Sequence, residues 1–411
     1  MRIPRVVAAL ILAAALPSLA KAAQVQVTSS TQYLRYPDYI STPTDQQDIA
    51  QYLRLNATFG EKDAIRVQGY GRLVGQLTTA MESRNELTDN LTGRLYYLFV
   101  DYRDLLPEHL DLLAGRTFVG ASAIPGIVDG AQLTGRNLGT PGLGLTAFGG
   151  RRVFLDNKSE LPYADDYLVG GSVFLDTVKL TRAELGYARE YRTGSLAREI
   201  AALDLSTTPH AMINLSGRAA YDLVSSRASE LRADLKISPI ALLVLSGGFY
   251  QSVPTFDRDS FYRYFGVGNY RQLSLGAEYR FGGLARVFAS YGYERFDANE
   301  NANLVGVGFG ARPMPNLFVN ASYEHRNGYA GKLGGLRADA GYTIAMATIQ
   351  AGVDYDDFKR QESRDGNAKK YWGAVRLELN KTFGASLRAE RDENFQFNKS
   401  YQGYVAVDVH L

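Results

Sequence analysis

The stretch ELRADLKI, Glu230 to Ile237, sets Glu230, Arg232, Asp234 and Lys236 on one parity and Leu231, Ala233, Leu235 and Ile237 on the other. Successive side chains of a strand point to opposite faces, so this segment has one charged face and one apolar face. The same period of two recurs along the chain. LRLNATF places Leu53, Leu55, Ala57 and Phe59 opposite Arg54, Asn56 and Thr58. QLSLGAEYRF places Leu273, Leu275, Ala277, Tyr279 and Phe281 opposite Gln272, Ser274, Glu278 and Arg280. INLSGRAAY, AVRLELN and the final GYVAVDVHL repeat it. No helical period of comparable clarity interrupts the pattern, which predicts an all-β chain from about Gln24 onward.

The breaks carry a second pattern. Longer polar connections such as PDYISTPTDQQD, LTTAMESRNELTDNLT and FLDNKSELPYADD alternate with tight turns such as GEKD, LGTPG, TTPH, SPI, FGGL and RPMPN. The turns are rich in the Gly, Pro and Asp that reverse a chain. The alternation predicts about 22 strands (about 18–22 are admitted) of about 9–12 residues each. The count is least constrained at Tyr167–Tyr191, where only Asp176-Thr177 marks a turn.

An open sheet of that width leaves reactive edges, whereas a closed one has none. In a bilayer, lipid then covers the apolar face, and a tilted membrane strand needs about 9–11 residues. The expected fold is a single transmembrane antiparallel up-and-down β-barrel with short periplasmic turns and longer extracellular loops. Tyrosine fits this reading: Tyr221, Tyr279, Tyr291, Tyr293, Tyr323 and Tyr342 lie near the ends of apolar stripes, where a ring with a polar tip suits the membrane–water interface. At the N-terminus, Arg2 and Arg5 precede the apolar run VVAALILAAAL and an Ala20-Lys21-Ala22 cleavage motif. Residues 1–22 are therefore expected to be a signal peptide and 23–411 the barrel domain. The chain has no cysteine and a net charge of +2, so it offers no disulfides, no thiolate chemistry and no electrostatic footprint for nucleic acid.

The segment from Leu112 to Gly150, LLAGRTFVGASAIPGIVDGAQLTGRNLGTPGLGLTAFGG, resembles the outer-membrane porin-like barrels of Gram-negative bacteria. The matching positions are Gly115, Arg116, Asp129 and Gly130, with Gly149-Gly150 ending the third strand; they cover about a tenth of the chain. The resemblance implies residence in the outer membrane of a Gram-negative bacterium, contact with its lipid and lipopolysaccharide, and insertion by the barrel assembly machinery. Such barrels usually end in an aromatic residue, and this chain ends in Leu411.

No catalytic constellation stands out. His109, His210, His325 and His410 lie far apart, and no GxSxG elbow, P-loop or HExxH is present. Neither enzyme activity nor a cofactor nor a metal is expected. Asp354, Asp356, Asp357, Glu362 and Asp365 cluster, but without EF-hand spacing they read as a solvated loop. The best functional signal is the charged set on the inward parity: Arg54, Arg66, Arg72, Arg116, Arg218, Glu230, Arg232, Asp234, Lys236, Glu278, Arg280, Glu294, Glu324, Arg326, Arg337, Asp339, Arg376, Glu378, Arg388 and Glu390. Such charges are costly toward lipid and useful toward water, where they either polarise a pore or form a purely structural lattice. Their mixed signs argue against strong ion selectivity. A candidate constriction or partner loop is FDRDSFYRYFG, with Phe256, Arg258, Phe261, Tyr262, Arg263, Tyr264 and Phe265.

Two functions follow. One is a porin-like channel for passive or weakly selective passage of small hydrophilic solutes or ions. The other is a sheath around a multihaem cytochrome, since a barrel this wide, with no plug before its first strand and no long constriction loop, needs something to fill it.

Overall fold

The computed structural model describes residues 23–37, 45–60, 64–77, 86–88, 91–120, 123–155, 165–176, 180–254, 268–297, 300–329, 331–359, 366–394 and 399–411. All regular structure among them is strand, in one antiparallel sheet of 23 strands. One of these, Glu86–Thr88, only adds to the edge of Leu91–Leu106. The remaining 22 pair neighbour to neighbour from Ala23–Pro37 to Ser400–His410. The last then pairs back onto the first, with Thr28 opposite His410 and Arg35 opposite Gly403. Val27 and Leu411 exchange both backbone hydrogen bonds at 2.9 and 2.8 Å, and the barrel is closed.

The period of two becomes an inside and an outside. Leu231, Leu235, Leu273, Leu275, Val305, Val307, Leu387 and Val405 are all exposed, and so are the girdle residues Tyr221, Tyr291, Tyr323 and Tyr342. An apolar belt around a whole barrel is unstable in water and is satisfied by lipid. The barrel therefore spans a membrane. Strands run longer than the sequence suggests: Leu91–Leu106 and Ser195–His210 each have 16 residues. At about 2.5 Å of rise per residue for a strand tilted by about 40°, such strands overshoot the apolar band. The doubtful segment resolves into Tyr167–Leu175 and Thr181–Arg192, which puts the turn where Asp176 marks it.

Prolines refine the tight-turn rim. TTPH and SPI do not themselves reverse the chain, because strands continue to His210 and Ile240, whereas RPMPN reverses it at Pro315-Asn316 after a strand that continues to Met314. Pairing slips at Thr207/His210, Ile237/Ile240 and Ala311/Met314, around Pro209, Pro239 and Pro313. Proline has no N–H to give to a ladder, so it occupies a bulge, and the reversal follows in the next two residues.

Glycines bend the wall at the segment that resembles porin-like barrels. Gly115, Gly130 and Gly150 lie in one row across three strands, and Gly115 has φ +124°. A Cβ on Gly150 would sit 2.7 Å from both Asp129 O and Gly130 Cα, so only glycine allows these backbones to approach. Beyond this row lies the one apolar cluster of buried residues among those described: Val119, Ala123, Ile124, Val128, Phe148, Leu168, Ala188, Ile200, Ala202 and Ala220. Leu168, Ala188, Ala202 and Ala220 each neighbour an exposed outward residue (Val169, Tyr187, Leu203 and Tyr221), which places the cluster on the inner face. Ala123 and Ile124, just before the strand Gly126–Gly135, join it and so lie against the inner face. The sequence reading found no constriction element at this position; the residues are too few and too small to signal one.

Candidate functional site: the inner wall

Registers place Arg54, Arg66, Arg72, Arg218, Glu230, Arg232, Asp234 and Lys236 opposite in parity to the lipid-facing residues of their strands. The same holds for Glu278, Arg280, Glu294, Glu324, Arg326, Arg337, Asp339, Arg376, Glu378, Arg388 and Glu390. Arg116 differs. It is the cross-strand partner of Leu98, follows the kinked Gly115 and leaves its side chain only 9% exposed. Its guanidinium donates to Asp129 through Nε (2.7 Å) and Nη2 (2.8 Å), and through Nη1 to Leu95 O (3.1 Å). Arg116 fastens the bent wall rather than offering charge to the lumen. The residues of the FDRDSFYRYFG loop, Phe256 to Phe265, lie outside the described residues, as do Glu362 and Asp365.

Most inner charges are paired. Arg218 bridges Asp204 (2.9 Å) and Glu230 (3.0 Å); Arg232 holds Asp234 (2.6 Å), and Arg280 holds Glu278 (2.6 Å). Arg326 binds Glu294 at 2.9 Å, and Arg337 binds Asp356 at 3.1 Å. Glu390 is shared by Lys370 and Arg388, whose guanidinium lies 4.4 Å from the Trp372 ring centroid. This is the mixed-sign lattice that the sequence implies. Asp354 and Asp356 belong to it, and no metal-binding cluster exists among the described residues.

One arc departs from that rule. On Asp45–Phe59, Ile65–Gln76 and Leu91–Leu106, Arg54, Arg66 and Arg72 form no ion pair among the described residues. Arg72 stands directly opposite Arg94, and the Nε atoms of Arg66 and Arg72 are buried without a hydrogen-bond partner. Tyrosines stack between these arginines. Tyr52 and Tyr70 are 6.4 Å apart at 17°, and Tyr70 and Tyr96 are 4.8 Å apart at 18°. A β-bulge at Tyr70/Gly71 adds one residue to the facing strand, so consecutive tyrosines Tyr96 and Tyr97 both reach Tyr70, the second at 5.9 Å. Phe99 extends the row 5.7 Å beyond Tyr97, and Arg54 lies 5.1 Å above the Tyr70 ring. The row ends at a recess of about 880 Å³ lined by Gln68, Tyr97, Phe99, Asp101, Thr117 and Gln132. Chemically, the arc presents flat π surfaces and an excess of arginines, with Asp101 opposite Arg66, to whatever fills the lumen. The sequence reading selected the arginines but missed the tyrosines. The available signal was that Tyr52 and Tyr70 share the parity of Arg54 and Arg72.

Residues 123–125, beside the buried apolar cluster, are held from behind. Glu190, 1% exposed, lies 3.5 Å from both Arg152 Nε and Arg192 Nε. Arg152 Nη2 in turn donates to Pro125 O at 3.4 Å. Both guanidinium groups also cover the Phe154 ring, at 5.4 and 4.7 Å.

No family model matches this sequence, and no curated protein matches it. Solved structures do share its architecture. A BenF-like porin from Pseudomonas fluorescens Pf-5 superposes with TM-score 0.51 at 10% identity, over 95% of this chain and 99% of that one. OpdK from Pseudomonas aeruginosa, solved with vanillate, gives 0.49 at 10% identity over 95% and 98%. OccAB4 from Acinetobacter baumannii gives 0.48 at 10% identity over 96% and 99%. At this identity the likeness to the BenF-like porin establishes the fold: the chain has the architecture of a membrane-spanning, porin-type β-barrel.

Proposed function

We propose that this protein is a porin-like, non-enzymatic channel of the Gram-negative outer membrane, exported with residues 1–22 removed, through which small hydrophilic solutes or ions pass passively. The observation that carries this reading is the division of the closed barrel into a lipid-compatible outer face and a charged, ion-paired inner face. A pore wall needs that division, whereas a soluble protein has no use for it. The BenF-like barrel whose architecture it shares is a porin, which agrees with this reading. The basic, tyrosine-lined arc adds a local preference within a lattice that is otherwise balanced. Anions carrying a flat ring gain both charge and stacking there, so the channel is weakly selective rather than neutral. Cytochrome sheathing has no observation in its favour, and the apolar cluster on the inner face, with Ala123 and Ile124, supplies part of the filling that made it attractive.

Purified protein in planar bilayers tests the reading. Stepwise, ohmic conductance with a modest anion preference is expected. Absence of conductance from a folded barrel, or haem absorbance that co-purifies with it, would overturn it.

A further inference from the structure

At the tight-turn end of the inner wall, one sector carries arginines that the ion-pair lattice leaves out. Arg280 stands directly opposite Arg286; Arg286 faces Gly310 on its other side, and Gly310 faces Asn320, so the four lie in one row across adjacent strands. Arg312 follows two residues beyond Gly310, toward the turn after Met314. Arg286 and Gly310 adjoin Val287 and Phe309, whose exposed side chains face lipid, so the row lies inside the barrel. Cross-strand neighbours of like charge are unfavourable, and a wall that only encloses water has no need for Arg280 and Arg286 to meet.

Other arginines near this rim are neutralised by the protein. Arg136 holds Asp104 and Asp111 at 2.8 Å, Arg103 holds Asp101 at 3.1 Å, and Arg182 holds Glu184 at 2.9 Å. Beside the row, the acids in register are already engaged. Glu278 accepts from Arg280 Nε at 2.6 Å, and Asp339 accepts from Asn320 Nδ2 at 3.1 Å. Arg286 and Arg312 form no ion pair among the described residues. Both border a cleft of about 560 Å³, together with Arg280, Asn320 and the Gly282-Gly283 turn. The Cβ side of both turn glycines is open space, so no side chain closes the entrance there. A Cβ on Gly310 would lie 3.2 Å from Arg286 Nε and 2.8 Å from Asn320 Oδ1. Glycine therefore leaves a floor at which a donor and an acceptor approach one point.

We infer that Arg280, Arg286, Arg312 and Asn320 form a binding site for a phosphate monoester of a small hydroxylated solute at the periplasmic mouth. A phosphate monoester carries close to two negative charges at neutral pH and three acceptor oxygens. It accepts guanidinium forks from more than one side, whereas a single fork saturates a carboxylate. The cleft exceeds what phosphate alone fills and falls in the size range of small-molecule sites. Asn320, its amide fixed by Asp339, turns Oδ1 toward Gly310 as an acceptor for a hydroxyl of the organic part. Bound phosphate also removes the repulsion between Arg280 and Arg286. The inference deepens the channel reading by naming a class of solute, and it rests on that reading for delivery of solute to the mouth.

Equilibrium dialysis of the full-length barrel in a maltoside detergent, with radiolabelled glycerol 3-phosphate as probe, tests the site without any current. Arg286→Gln and Arg312→Gln are each expected to bind about tenfold more weakly, from loss of one charge-assisted hydrogen-bonding group. Gly310→Ala is expected to weaken binding several-fold with every charge in place, because its methyl group fills the floor. Arg182→Gln, which removes a rim cation already neutralised, is expected to bind as the parent does. Equal binding by the parent and Arg286→Gln overturns the inference, and so does equally strong displacement of the probe by acetate. Equal affinity for inorganic phosphate overturns the ester as the ligand. Single-channel current is recorded from each variant in planar bilayers. Binding without conductance means that the channel reading has failed, and conductance without binding that the site has.

Discussion

Arg72 faces Arg94 across adjacent strands of the inner wall, with Tyr52 and Tyr96 beside them. Opposed like charges cost about 0.2–1 kcal/mol relative to a neutral pair. Arg72→Gln is therefore expected to leave the barrel as stable as the parent or slightly more so, while weakening its hold on anions. Reversal potentials across a salt gradient should move toward the cation side. A variant with unchanged potential and lower melting temperature would show that Arg72 is structural.

The stack itself predicts a different signature. Tyr70 contacts Tyr52, Tyr96 and Tyr97, and it carries Arg54 over its ring. Tyr70→Leu keeps an apolar side chain but removes the shared π surface, worth about 0.5–1.5 kcal/mol per ring pair. Current blockade by an aromatic anion should weaken several-fold, while blockade by an aliphatic anion of the same charge should not. Equal loss for both would assign recognition to charge alone.

Sidedness is testable in one strand, Arg227–Ile240. Leu235→Arg places a charge against lipid, at a cost of about 2–4 kcal/mol near the midplane. It should reduce the folded fraction recovered in bilayers. Arg232→Gln should insert normally, because it removes only an inner ion pair with Asp234.

Glu190 controls residues 123–125 at one remove. Breaking a buried charge pair by removing one partner costs about 3–5 kcal/mol. Glu190→Gln leaves Arg152 and Arg192 facing each other and loosens the grip on Pro125 O. The expected result is a larger and noisier single-channel current. A quiet channel of parental size would detach Glu190 from these residues.

The fold was largely legible because lipid imposes a period of two on every strand, and ELRADLKI shows how little sequence that needs. Leu231 and Leu235 face out, and Glu230, Arg232, Asp234 and Lys236 face in, as their parity requires. What stayed hidden depends on which strands are neighbours and in what register. Tyr52, Tyr70 and Tyr96 are unremarkable until pairing and one bulge bring their rings together. Arg116 was expected on the inner face, but it shares the outward parity of Leu112 and Phe118, opposite exposed Leu98, and is covered there by its contact with Asp129. Ala123 and Ile124 carry no mark of burial, since small and medium apolar residues in a connection look the same whether they lean inward or not. Pro209, Pro239 and Pro313 occupy bulges just before the reversals, whereas Pro107, Pro141 and Pro315 lie in the turns themselves.

The seam between Ala23–Pro37 and Ser400–His410 joins Thr28 to a residue 382 positions away. Contacts of such separation form slowly, because most of the chain must already be arranged before they bring any return. Until the ends meet, the molecule is an unclosed sheet with two bare margins, each able to template the wrong partner. Those margins disappear together in a single event. Assembly of this wall is therefore all or nothing, and the first and last strands work as the two halves of a latch, whatever passes through the ring they complete.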